Sequence, residues 1–350
     1  MSLLHRRVVA STSLTSSALN QIKLPTDHHD VELMLRFTAT LTAGTADATL
    51  LEDGFLNYVR SIQILADGNR SPVYDSGENL WKRAYMYSGN APEYDITPRA
   101  QILAGGLLDY DGAASGVFTA VMTIPVRFSL LRTNQPSRTW WNVKRFTNVT
   151  VLIQTGSASQ VATAGGGGGT FTLTVPTVEI HAVEKVGLIQ KNGQQDIRDL
   201  LKQSFFQSTQ AVQAENSFDL NRGNAHHRIF LRAEDSSNLN SDAVVGLVTY
   251  RIQGNKGQQI IRSVNWKALR ADNVTHWNIQ PTADAYASVP IIPNLTGFAC
   301  LDLDRSGTTE SVDTDPKTGV TKAELVTEGL AVGTVYGTME EIVDRSKEAA

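Results

Sequence analysis

The 350-residue sequence has little of what marks several large function classes. It holds one cysteine, Cys300, which excludes an intrachain disulfide framework and fits assembly in a reducing compartment. Cys300 lies in the apolar run Gly297-Phe-Ala-Cys-Leu301, where a small buried hydrophobe is expected rather than a nucleophile. No apolar run of about 18 residues occurs, so no helical membrane span is expected. No apolar stretch of roughly 7–15 residues opens the chain, so no secretory signal is expected either. The sequons at Asn148, Asn273 and Asn294 therefore read as chance matches. Charge is sparse: 19% of residues are charged, 41% are hydrophobic, and the net charge is −4. Residues 300–350 hold 11 acidic and 5 basic residues, a balance of −6, which leaves about +2 for the rest. No strongly basic face stands out, so the footprint of tight nucleic-acid binding is missing. A thinly charged surface suits large contacts between chains, whose cores are depleted in charge.

Catalytic patterns are missing too. There is no Gly-x-Ser-x-Gly elbow, no P-loop and no dinucleotide-binding glycine motif. Histidines occur as adjacent pairs, His28-His29 and His226-His227, and as the isolated His5, His181 and His276. Neighbouring residues on a strand face opposite sides, so an adjacent pair is poorly placed to put both rings on one metal. Glu32 follows the first pair, whereas the second meets no carboxylate until Glu234. A structural role for both pairs is the simpler reading. No catalytic, cofactor-binding or metal-binding residue is assigned, and the chain is not expected to be an enzyme.

What the sequence does contain is a repeat. The His pairs are separated by 198 positions (226 − 28). Ile62-Gln-Ile64 leads to Gly68-Asn69 and Trp81-Lys82, while Tyr250-Arg-Ile252 leads to Gly254-Asn255 and Trp266-Lys267. These later landmarks are offset by 186 (254 − 68) and 185 (266 − 81). Three landmarks in one order imply a duplicated domain, far longer than a solenoid repeat of roughly 20–50 residues. The length accommodates two domains, each with its own core.

Strand patterns dominate both halves. Positions 31, 33, 35, 37, 39 and 41 alternate as apolar residues, and Phe118, Ala120, Met122, Ile124, Val126 and Phe128 form a second such face. Pro125 within the latter predicts an edge or bulged strand. Thr147–Gln154 and Thr170–Val183 are rich in Val, Ile, Thr and Phe and read as further strands. Five consecutive glycines, Gly165–Gly169, read as an exposed loop rather than a phosphate cradle. One helix is expected: Ile197, Leu200, Leu201, Phe205 and Val212 recur at helical spacing behind Asp196 as N-cap. Many short strands with turn-rich connections predict an all-β chain of two tandem eight-stranded antiparallel jelly rolls with a connecting helix. The expected division is an N-terminal arm at 1–18, a first jelly roll at 19–186, a connecting helix or linker at 187–216, and a second jelly roll at 217–350. His5-Arg6-Arg7 on the arm reads as a frayed terminus or as a docking segment.

Two further clusters have a sharp and a bland reading. Asp302, Asp304, Ser306, Glu310 and Asp313 occupy positions 1, 3, 5, 9 and 12 of a calcium-loop spacing, with Gly307 at 6. The flanking Phe298–Leu303 reads as strand rather than helix, so a solvated turn competes with calcium at 302–313. Trp140-Trp141, Tyr85 and Tyr87 suit sugar or base stacking, or equally core filling and interface anchoring.

The run Gln21-Ile-Lys-Leu-Pro25, the strand Val31–Leu41, and Ile62-Gln-Ile64 ending in Asp67-Gly68-Asn69 resemble the first domain of double jelly-roll major capsid proteins. That family builds the coats of tailless icosahedral bacteriophages with an internal membrane, of related archaeal and algal viruses, and of adenovirus. The resemblance covers nearly the whole chain in architecture and strand order, without an invariant motif. It implies a homotrimeric, pseudo-hexameric capsomer in an icosahedral virion, assembled in the host cytoplasm. Implied partners are neighbouring copies, vertex (penton) and minor capsid proteins, and a membrane or genome met through the N-terminal arm. A carbohydrate-binding jelly-roll protein, such as a phage receptor-binding or glycan-binding module, is the alternative.

Overall fold

Apolar residues at every second position build strands whose inner faces pack into a core. In a computed structural model of the chain, Leu33, Leu35, Phe37, Ala39 and Leu41 are all at most 1% exposed, as the alternation predicts. Phe118, Ala120, Met122, Ile124, Val126 and Phe128 are fully buried along a second strand. Each large apolar side chain so buried contributes roughly 1.5–3 kcal/mol. The structure describes residues 3–27, 29–44, 46–68, 70–98, 102–103, 107–108, 116–130, 139–163, 170–186, 199–280, 293–304 and 311–344.

The chain forms two units. The first comprises Met1–Phe128, Trp141–Ile189 and Gln280–Asn294; the second comprises Ser129–Trp140, Gln190–Ile279 and Leu295–Ala350. Eight strands frame the first: β1 (Leu3–Ser13), β2 (Leu19–Leu24), β3 (His29–Ala43), β4 (Val59–Ala66), β5 (Arg70–Asp75), β6 (Gly116–Arg127), β7 (Val149–Thr155) and β8 (Phe171–Val186). Helix α1 (Gly77–Ser88) follows β5. One sheet runs β1-β8-β3-β6 and the other β2-β7-β4-β5, every neighbouring pair antiparallel. Short strands at Tyr94–Thr97 and Trp141–Asn142 extend the first sheet beside β6 and β3.

The second unit repeats this with eight more: β9 (Asp199–Gln210), β10 (Glu215–Asp219), β11 (Ala225–Asp235), β12 (Val245–Gly254), β13 (Gly257–Asn265), β14 (Phe298–Asp302), β15 (Val320–Gly329) and β16 (Gly333–Asp344). Helix α2 (Trp266–Trp277) follows β13. The sheets run β9-β16-β11-β14 and β10-β15-β12-β13, again antiparallel. Adding eight to each strand number of the first unit reproduces the second. This order of two four-stranded antiparallel sheets is the jelly roll, here twice.

Two expectations change, and of the two alternatives at Pro125 the edge is the one found. The helix expected within 187–216 is absent among the described residues: Asp199–Gln210 is strand β9, laddered to β16 from Asp199–Asp344 to Gln210–Gly333. Gln203 and Gln210, each 1% exposed, are buried although polar and lie on opposite faces of an unbroken ladder, so the two-residue period is hidden from a hydropathy reading. Gln210 is held there because its Oε1 accepts from Asn216 Nδ2 (2.9 Å) and Thr327 Oγ1 (3.1 Å). Asp196 and Ile197 lie outside the described residues. The arm expected at 1–18 is, from Leu3 to Ser13, strand β1, paired to β8. Arg7 on it pairs with Glu184 (2.8 Å) and Asp27 (2.9 Å). Pro125 lies in β6 without a bulge: the ladder to β3 is continuous through Pro125–Met34. On its other side β6 is paired only from Thr119 to Met122, so proline removes no ladder bond there.

Candidate functional site

The repeated landmarks fall on corresponding elements of the two units. His29 opens β3, and His226-His227 lie near the start of its counterpart β11. Gly68 and Gly254-Asn255 sit at the turns of the β4–β5 and β12–β13 hairpins. Gly68 has φ 80°, a left-handed backbone that this tight turn needs. The Trp-Lys pairs fall on the helix that follows each hairpin. Those helices have sequence-encoded starts: Ser76 Oγ accepts from Asn79 N at 3.1 Å, and Asn265 Oδ1 accepts from Lys267 N at 3.0 Å. Gly89, at φ 74°, closes α1.

Around each helix the chain buries charge. In the first unit Lys82 Nζ lies 2.7 Å from Asp53 Oδ2 and 2.7 Å from Glu78 Oε1, all three side chains at most 3% exposed. Beside them Arg83 pairs with Asp75 at 3.1 Å, and Asp75 Oδ1 accepts from Asn79 Nδ2 at 3.0 Å. In the second unit Arg228 pairs with Asp302 at 3.3 Å and lies 4.9 Å above the Trp277 ring of α2. Asn273 of α2 acts as a substitute strand for β14. Its Nδ2 donates to Cys300 O at 2.9 Å, and its Oδ1 accepts from Cys300 N at 2.7 Å. Asp242 accepts from Trp266 Nε1 (3.0 Å) and Gly297 N (3.1 Å), and also pairs with Arg270.

These contacts decide the candidates raised by the sequence. His226 Nδ1 lies 2.9 Å from the Tyr250 hydroxyl and its Nε2 2.6 Å from Asn221 O. The ring therefore donates to the carbonyl and accepts from the phenol. Burial pushes its pKa down. His227 points to other partners, Ser311 Oγ at 3.2 Å and Asp304 Oδ2 at 3.8 Å. Burial, aided by Arg228, pushes its pKa down to about 2. The two rings thus take separate partners at a bulge in β11, where His227 falls between the ladder pairs His226–Glu341 and Arg228–Glu340. His28 lies outside the described residues; His181 has Glu179 at 3.5 Å and His276 has Asp302 at 3.6 Å. Among the described residues no group of three or more His, Cys, Asp and Glu is arranged to hold a metal. Cys300 is fully buried, and burial raises its thiol pKa well above the ordinary value.

The acidic cluster at 302–313 is described only at its ends, since 305–310 lie outside the described residues. Asp302 and Asp304 are buried, and Asp302 Oδ1 accepts from Asp304 N at 3.1 Å. Gly165–Gly169 also lie outside the described residues. Trp140 and Trp141 are buried; Trp141 stacks on Phe128 with ring centroids 4.9 Å apart. Tyr85 is buried edge-on to Trp81, while Tyr87 is half-buried. None of the pair Trp140-Trp141 and Tyr85 offers an open ring face for a sugar or base. A cleft of about 440 Å³ in the first unit is lined by Arg6, Glu32, Glu93 and Arg127 among others; Arg127 pairs with Glu32 at 3.3 Å and Glu93 with Arg36 at 3.1 Å.

The cluster that reasoning from sequence missed is Asp53–Glu78–Lys82. Glu78 and Lys82 are four residues apart on a helix, the spacing of an ordinary solvated ion pair. Nothing in the spacing signals that both are buried.

No family model matches the chain, and no curated protein matches it. Solved structures do. The STIV MCP aligns with TM-score 0.74 and 15% identity over 99% of this chain and 98% of that one. The major capsid protein of bacteriophage PM2 aligns with TM-score 0.60 and 12% identity, covering 98% of both chains. The Faustovirus major capsid protein gives 0.56 and 9%, over 98% of this chain and 90% of that one. Coverage of this extent means that the likeness is to the whole two-unit body, not to a lone jelly roll. The chain has the double jelly-roll fold of these capsid proteins.

Proposed function

We propose that the chain is a major capsid protein, a structural rather than a catalytic molecule, that assembles with copies of itself into a virion shell. The observation that carries this reading is the strand order, identical in two units of one chain. Three such chains around a threefold axis present six like lobes, so a homotrimer has a pseudo-hexagonal outline that tiles a closed surface. The chemistry agrees: among the described residues His226, His227, Cys300, Trp140, Trp141 and Tyr85 are consumed by packing. The glycan-binding alternative loses its best support with the burial of Trp140 and Trp141.

The same reading makes neighbouring capsomers, vertex proteins and minor capsid proteins the partners, with a membrane or genome beneath the shell and assembly in the host cytoplasm. Because Leu3–Ser13 is a sheet strand, such a contact would be made by a paired edge strand rather than by a free arm. No cofactor is needed. Calcium at 302–313 rests on residue spacing alone, and Asp302 already faces Arg228. Calcium-dependent melting of wild type against Asp304→Ala tests it, and an unchanged wild-type melting temperature removes it.

Light scattering after size-exclusion chromatography tests the main reading. The expected particle has three times the chain mass of 38.1 kDa, and electron microscopy should show hexagonal capsomers. A stable monomer that binds glycans would overturn it.

A further inference from the structure

In the first unit, three ionisable side chains meet where the long β3–β4 connection packs on α1. Asp53, in left-handed backbone at φ 51°, precedes the short helix Gly54–Tyr58 and is 6% exposed. Glu78 and Lys82 come from α1, and the lysine ammonium sits 2.7 Å from each carboxyl group. Two buried carboxyl groups therefore meet on a single ammonium. One ammonium balances one carboxylate, and a second buried negative charge beside it is costly, so the pair favours holding a proton.

We propose that Asp53 and Glu78 share one proton in the folded first unit, and that losing it is a pH switch which loosens the β3–β4 connection from α1.

The groups that face Asp53 support this. From α1 come Glu78 and Lys82; Asp75 and Arg83 nearby are paired with each other at 3.1 Å. From the strand Tyr94–Thr97 comes Tyr94, whose hydroxyl accepts from Phe55 N at 3.3 Å. Tyr94's own pKa is raised, first by burial and then by Asp53, so it keeps its proton near neutrality. The short helix itself contributes Tyr58, whose hydroxyl lies 3.1 Å from Ser16 Oγ. The inward side chains of β6, which packs on α1, are the uncharged Phe118, Ala120 and Met122. Burial, opposed by Lys82 and reinforced by Glu78, pushes the Asp53 carboxyl up to about 7 from the ordinary 3.8. Two carboxyl groups at one buried site resist ionising together. With the folded pKa raised, the stabilisation is complete below about pH 3.8 and is lost as pH rises through about 7. Above that, like charges face each other across Lys82 in a poorly screened interior.

The test uses the full chain, wild type and Glu78→Gln, melted between about pH 5 and pH 8. The glutamine amide donates to Asp53 without titrating, and leaves Asp53 to pair with Lys82. The wild-type melting temperature should fall across this range, with faster amide exchange at 54–58 and 77–82, while Glu78→Gln should lose the part of the fall that this site causes. Parallel profiles for the two proteins would overturn the proposal. If the variant does not fold, carbon-13 NMR of wild type labelled at aspartate carboxyl carbons decides. An aspartate titrating near neutrality, missing in Asp53→Asn, supports the proposal; its absence in wild type overturns it.

Discussion

The two units share a strand order and differ in how each anchors the helix after its hairpin. In the first, α1 is anchored by buried ions: Lys82 between Asp53 and Glu78, and Arg83 on Asp75. In the second, α2 is anchored inside through amide and ring contacts, Asn273 on the Cys300 backbone and Trp277 under Arg228, and its own ion pair, Arg270 with Asp242, is partly exposed. The repeated Trp-Lys dipeptide makes the difference visible. Lys82 lies in the middle of α1 and is buried, whereas Lys267 is the second residue of α2 and is exposed. Duplication preserved the frame, because the frame depends on period and turn positions. It did not preserve the fillings, because a buried charge needs partners from distant segments, and each unit supplied different ones.

The comparison is most sharply broken at those two lysines. Lys82→Ala removes the ammonium from between two buried carboxyl groups and should cost roughly 3–5 kcal/mol. Lys267→Ala should stay within about 0.5 kcal/mol, as for ordinary surface changes. Chemical denaturation of both variants checks this, and equal losses would mean the units are not anchored differently.

Acid should act on the second unit in the direction opposite to the proposed switch in the first. His227 is buried with its pKa lowered to about 2 from the ordinary 6.5. Below pH 6.5 the unfolded chain takes up a proton that the folded unit refuses, so stability falls as pH drops, by up to about 1.4 kcal/mol per pH unit. His227→Gln should flatten that acid limb of the melting profile and leave the alkaline limb in place.

Asn273→Ala orphans the N–H and C=O of Cys300 in the interior, at a cost of about 1–3 kcal/mol for each group left unsatisfied. Amide exchange at β14 should rise first, and unchanged protection there would mean that α2 does not act as a substitute strand. The smallest effects should come from the caps. Ser76→Ala and Asn265→Ala should each cost about 1 kcal/mol, equally in both units, measurable by thermal melting.

Much of this fold is legible in the residues. The alternation from Leu33 to Leu41 and from Phe118 to Phe128 marks buried faces because side chains on a strand point alternately to either side. Asp67-Gly68, at φ 50° and 80°, and Gly257, at φ 93° just after Gly254-Asn255, mark the two hairpins, since few other residues tolerate a left-handed backbone. The strand Asp199–Gln210 is the instructive failure. Leu200, Leu201 and Phe205 fit a helical spacing, while Gln203 and Gln210, buried on opposite faces, disguise the strand period, and only the ladder to β16 decides between the two. The arm misled for a similar reason: the Ser- and Thr-rich β1 is held by the edge of β8, not by its own hydrophobicity.

By itself, then, the sequence determined that there are two like domains, all-β, with their turns and core faces in set places. Those properties follow from local periodicity and backbone preference, which act over a few residues at a time. Tertiary structure alone decided which charges are buried and what they touch. Asp53 and Lys82 are 29 positions apart (82 − 53), and Asn273 and Cys300 are 27 apart. Whether such pairs meet depends on how loops and helices close over the sheets, and the free energy of a charge depends on whether water can still reach it.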